Sequence, residues 1–302
     1  MLDLQGICPI IATPFTDRGA VDYDSFRNLA ATLLKGGCPA ITLFGIAGEY
    51  YKLSEEESAK LVDITVEECQ RHGGKAIISV TQHATELAVQ RARDYQDAGA
   101  DCLMLLPPFF LKPGAGALYQ HMKAVGQAVS IPVMAQYAPE QTGVAIQPGV
   151  FAGLFAEAPN IRYYKIECKP AGGYISTLLR ETGGKIGVFV GNAGYQFIEC
   201  FDRGATGVMP GCSMFDIYLK MYRQYTSGDR SAAADTHSGY ILPILNHIRQ
   251  NVEMIIAYEK RILKRRGIIQ SDYCRLPSFA PDPYDDRLFD EHYERIAPQF
   301  QR

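Results

Sequence analysis

The stretch YQDAGADCLMLL, residues 95–106, closes an amphipathic run with a glycine and then opens a short apolar run. A glycine suits the left-handed position that follows a helix. Four to six apolar residues bounded in this way read as a strand. The same device stands in LLKGGCPAITLF (33–44) and CFDRGATGVMP (200–210). Working outward, short apolar runs recur at 6–12, 40–45, 75–80, 102–106, 132–136, 161–165, 185–191 and 206–210. Between them lie amphipathic stretches with helix-start signals. Ser54, three residues before Glu57, predicts a capping box, and a second helix is predicted from Thr85 to near Gly99. Strict alternation predicts parallel strands, and eight of them predict a closed (β/α)8 TIM barrel. An open doubly wound sheet is disfavoured, because no G-x-G-x-x-G follows a strand.

The division expected is a barrel over residues 1–225 and a C-terminal helical extension over 226–302. In the extension the apolar periodicity is helical, and Pro243 should break or kink the first helix. At 302 residues the length suits an α/β barrel. A formal net charge of −3 supplies no basic field, which argues against nucleic acid or an acidic membrane as partner. No apolar run is long enough to span a bilayer, and the first residues lack the pattern of a signal peptide. The eight cysteines are scattered without C-x-x-C pairs, as expected of buried reduced thiols in a cytoplasmic protein.

In NIRYYKIECK (160–169), strand alternation puts Ile161, Tyr163 and Lys165 on the inner face, with Arg162 and Tyr164 facing the helices. Lys165 therefore falls at the C-terminal mouth, where barrel enzymes carry their chemistry. Lys75 and Lys185 instead open their strands at the other end, where a lysine reaches solvent. Burial among aromatic rings disfavours the ammonium form, and a neutral amine can attack a ketone to form a Schiff base. A plain ion pair with Glu167 is the competing account.

With these segments placed, the chain resembles the dihydrodipicolinate synthase/N-acetylneuraminate lyase superfamily of Schiff-base lyases. The resemblance rests on GIAGEYYKLS (45–54), IPVMAQYAPEQTG (131–143), YYKIECKPAG (163–172) and GNAGYQFIECFDRGATGVMPG (191–211). It implies that Lys165 forms the imine, that the backbone around Ala47 and Gly48 holds the substrate carboxylate, and that Gly191 and Val208 line the pocket. It also implies a homotetramer, a dimer of dimers, acting on a 2-keto acid. Ile46 and Ala47 stand where the family commonly has two threonines. Gln136 occupies the aligned tyrosine position, with Tyr137 one place later. Gln141 replaces a basic residue, and Phe109-Phe110 an aromatic pair with hydroxyls. These departures remove the synthase's hydroxyl relay and argue against that activity. The segments 136–139, 165–167, 204–209 and 242–247 look closer to the 2-keto-3-deoxy-arabinonate dehydratases.

Dehydration of such an acid needs an imine, a base for a C3 proton and an acid for the departing hydroxyl. His83, after the third run, is a candidate for proton transfer or else a capping or solvent-exposed residue just before the helix at Thr85. Tyr137 can donate through its hydroxyl, unless its side chain points out of the barrel. Gln136 can orient a water or a hydroxyl. Glu49 is read as pinning its loop through backbone N–H groups, with a role as base second. Glu167 could tune the lysine or relay a proton. Asn192 could bind a sugar hydroxyl or cap a helix, and His247 is taken as structural. No metal or other cofactor is expected, because the imine itself withdraws electrons and no H-E-x-x-H spacing occurs. Retro-aldol cleavage to pyruvate, and a non-catalytic keto-acid-binding paralogue, are the alternatives.

Overall fold

A computed structural model describes residues 4–301. The strands are β1 (Gly6–Ile7), β2 (Ala40–Leu43), β3 (Lys75–Val80), β4 (Cys102–Leu105), β5 (Val133–Tyr137), β6 (Ile161–Ile166), β7 (Gly187–Val190) and β8 (Gly207–Val208). Each of the eight predicted runs overlaps one, with β5 and β6 ending one residue past theirs. They form one sheet in the order β1-β8-β7-β6-β5-β4-β3-β2. With helices between the strands, this is a nearly closed (β/α)8 barrel followed by a C-terminal helical extension.

The chain separates into two compact units, each drawn from segments far apart in sequence. One comprises Lys75–Met209 with Leu4 and Gln5; the other comprises Gly6–Gly74 and the residues from Pro210 on. In the first unit, β3 to β8 pair parallel in sequence order. Asn160 sets the start of β6: its amide donates to the carbonyls of Gly126 (2.6 Å) and Val129 (3.1 Å), which end the helix Ala115–Ala128. Those carbonyls have no partner within the helix, so a side-chain donor there is stabilising. Tyr164 turns to the helix layer and donates its hydroxyl to Phe151 O at 3.0 Å. Tyr163 faces the other way, and its hydroxyl accepts the N–H of Leu4 at 3.0 Å. Gly187 leaves the space its ring needs, since a Cβ there would stand 2.5 Å from Tyr163 Cδ1.

In the second unit, Ile10 bridges parallel to both Thr42 and Gly211, although the named strand β1 ends at Ile7. Pro9, with no N–H to donate, interrupts the predicted run 6–12. The capping box at Ser54 and Glu57 is present, and Gly73 closes that helix in the left-handed conformation at φ 70°. Thr85–Asp97 is helical, and Gly99 after it has φ 102°. Pro243 does perturb its helix: a π-turn over His237–Ile241 precedes Leu242–Ile248, with Pro243 in the new first turn. All eight cysteines are free thiols, seven of them buried. Among the described residues no helix is long and apolar enough to cross a membrane.

Candidate active site

Register along the sheet decides which side chains share a face, because paired residues in parallel strands point the same way and neighbours alternate. Lys165 of β6 pairs with Gln136 of β5 and with Phe189 of β7, and Phe189 pairs with Gly207 of β8. These four share the face predicted for the lysine. Lys165 is 4% exposed, although β6 runs one residue beyond it. Its neighbour Tyr163 meets Phe189 edge-on, with centroids 6.0 Å apart. The aromatic surroundings expected from sequence are therefore in place.

The carboxylate of Glu167 stands 3.4 Å from Lys165 Nζ, so the ion pair weighed from sequence also exists. Two further donors hold it. Gln136 Nε2 donates to one oxygen at 2.6 Å, and the backbone N–H of Asn192 donates to the other at 3.2 Å. The Asn192 amide also donates to Glu167 O at 2.6 Å. Gly191 makes this possible. A Cβ on it would sit 2.0 Å from Glu167 Cγ, inside the carboxylate's own space. Asn192 itself adopts φ 50°, a left-handed conformation that asparagine tolerates better than most residues. Its job in this structure is to fix Glu167. A carboxylate fixed beside a buried amine can take a proton from the ammonium, stabilise a protonated imine, and return the proton elsewhere.

Several expectations need correction. Tyr137 pairs with Ile166, on the face opposite Gln136 and Lys165. Its ring stacks on Tyr174 at 4.7 Å and its hydroxyl accepts the Ile146 N–H at 3.3 Å. Burial raises its pKa above the ordinary phenol value, and the structure does not bring it to the lysine. Val208 pairs with Val190, which in turn pairs with Ile166, so its side chain also lies on the helix side and only its backbone can line a pocket. His83 is exposed after β3, against Phe109 at 4.9 Å, and among the described contacts it does not join the Lys165 group. It does not cap the following helix, whose N-cap is Ala84 with no side-chain bond.

The loop after β2 belongs to the other unit. Ile46–Gly48, which includes Ala47, makes one 3-10 turn, and Glu49 follows it at φ 58°. Glu49 is fully buried, and among the described residues its carboxylate is bonded by side-chain ammonium groups, not by the backbone N–H groups expected. Its partners are ammonium groups: Lys52 at 3.1 Å and Lys260 in a short contact. Lys260 has no exposed side-chain surface, and burial lowers its pKa while Glu49 opposes the shift. Sequence reading missed this second buried lysine. It lies in AYEKRILKRR (257–266), where nothing local separates it from its solvated neighbours. His247 is buried against Tyr258, in keeping with a structural part.

Comparison with known proteins gives one consistent family. Residues 3–285 match the Dihydrodipicolinate synthetase family. A 4-hydroxy-tetrahydrodipicolinate synthase of Bacillus velezensis is 30% identical over 82% of this chain and 84% of its own length. An L-2-keto-3-deoxyarabonate dehydratase of Azospirillum brasilense is 26% identical over 92% of this chain and 90% of its own. Among solved structures, dihydrodipicolinate synthase from Aquifex aeolicus superposes with a TM-score of 0.89 at 26% identity. That match covers 99% of this chain and 100% of the other.

Proposed function

Given that the chain belongs to the dihydrodipicolinate synthetase family and is a lyase of the class I, lysine Schiff-base type, we propose that it dehydrates a 2-keto-3-deoxy sugar acid. The observation that carries this reading is the carboxylate of Glu167, 3.4 Å from Lys165 Nζ and bonded by Gln136 at 2.6 Å. The family's tyrosine position holds Gln136, which cannot exchange a proton at useful pH, and Gln136 serves here to hold a group that can. The C2 ketone condenses with the neutral amine of Lys165, expelling water and forming an imine. Once protonated, the imine withdraws electrons from C3. Glu167 takes a C3 proton, the C3–H electron pair forms the C3=C4 bond, and the C4 hydroxyl leaves with a proton returned by Glu167. A proton leaves C5 and one is added at C3, which moves the double bond to C4=C5; the enol so formed becomes the aldehyde, and one water hydrolyses the imine to release the semialdehyde and restore Lys165.

The backbone at Ala47 and Gly48 is assigned to the substrate carboxylate, as the family resemblance implies. Gly191 and Asn192 act by seating Glu167. We place the enzyme in the cytoplasm as a homotetramer, and its activity requires no metal. The names of several relatives favour a second reading, in which the same imine supports C–C cleavage or formation with pyruvate. Product analysis over a panel of five- and six-carbon 2-keto-3-deoxy acids separates the two. A semialdehyde from a five-carbon acid, or a 2,5-diketo acid from a six-carbon one, is expected without pyruvate; pyruvate with an aldehyde would overturn dehydration.

A further inference from the structure

We propose that Lys260, far along the chain in the C-terminal extension, is a positioning residue for recognition of the substrate carboxylate, acting through Glu49 on the backbone of residues 46–48. The inference rests on the reading above that this backbone binds the carboxylate. Glu49 ends the turn Ile46–Gly48, its N–H bonding Ile46 O at 3.2 Å, and the next turn, Tyr50–Lys52, begins from it. Its left-handed φ of 58° is one that a residue with a side chain seldom holds unless its surroundings impose it.

Two ammonium groups on its carboxylate impose it. One carboxylate oxygen bonds Lys260 Nζ and the other bonds Lys52 Nζ. Each ammonium is tied in turn to the backbone of residues 273–277. Lys260 donates to Tyr273 O at 3.1 Å, and Lys52 donates to Arg275 O at 2.6 Å and Pro277 O at 2.8 Å. Lys260 also lies 4.2 Å from the centroid of Phe15, with no water-exposed surface. Glu49 therefore cannot rotate without stranding a buried ammonium, and the turn it ends cannot re-aim its N–H groups without rotating Glu49. Gly48 packs close on the first-strand segment, where a Cβ would meet Ile11 O at 3.0 Å, and its carbonyl accepts the Thr13 hydroxyl at 2.7 Å. A buried ion pair is a poor source of net stability, since desolvation offsets the attraction, but it holds a geometry well.

The experiment titrates pyruvate in the presence of borohydride and reads both the extent of label on Lys165 and the pyruvate concentration giving half of it. Lys260→Met and, because a lone buried Glu49 endangers folding, the charge-free pair Glu49→Gln/Lys260→Met are compared with the native chain and with Lys52→Met. The expected result is a half-saturating concentration raised about tenfold in whichever Lys260 variant folds, with maximal label unchanged. Lys52→Met should give a smaller rise in the same direction. A half-saturating concentration within about twofold of native in the folded Lys260 variant, whatever its melting temperature, would overturn the proposal. Absence of label on Lys165 in the native chain would instead overturn the active-site reading, and the carboxylate role of Lys260 with it.

Discussion

Lys165 and Glu167 project from one face of a strand end, and a glycine on the next strand's loop is what lets the acid approach the amine. The proposed division of labour gives each a distinct signature. Glu167→Gln keeps the shape and the Gln136 contact but cannot carry a proton. Its kcat should fall at least about 100-fold while borohydride still labels Lys165 to the native extent. A variant that loses label in parallel with kcat would show that Glu167 serves imine formation alone. Gly191→Ala inserts a Cβ 2.0 Å from Glu167 Cγ, so in the folded variant kcat should fall about tenfold or more, and the urea midpoint should fall as well. Lys165 was legible in the sequence because its strand periodicity and its position at the mouth agree. Lys260 was not, since its burial depends on Glu49, 211 residues away, and helical periodicity in a basic segment carries no mark of that pairing.

The strands show where alternation informs and where it was overridden. Alternation from Gln136 already places Tyr137 on the opposite face, and the structure stacks it on Tyr174. Val208 was assigned to the pocket by resemblance alone, and its register with Val190 turns the side chain outward. The pairing of Gln136 with Glu167 was out of reach of local pattern, because strand adjacency is legible but the rotamer that joins two side chains is not. At this scale Gly187→Ala tests the packing that seats β6 against β7. Its Cβ would stand 2.5 Å from the Tyr163 ring, and the cost should be about 1–3 kcal/mol of unfolding free energy in a urea titration. Ser54→Ala removes one arm of the capping box and should cost about 1 kcal/mol by the same measurement.

Eight apolar runs separated by amphipathic segments were enough to read a (β/α)8 barrel, since several helix ends carry a local glycine or capping signal, as at Ser54, Gly73 and Gly99. The two compact units were not readable, because they join chain segments far apart in sequence. Acid stability is a property of the whole chain. Burial lowers the pKa of His121, His247 and His292 below the usual 6.5. The unfolded chain then binds more protons than the folded one as the pH falls below 6.5, so stability present above that value is lost on acidification. The melting temperature should fall through this window, and His247→Phe should flatten the decline; a flat native profile would contradict the burial of these rings. The most direct test of the account weighs the intact chain after borohydride reduction with pyruvate and maps the modified peptide. One adduct on Lys165, absent from Lys165→Ala, is the predicted result; no adduct, or one carried by Lys260, would contradict it.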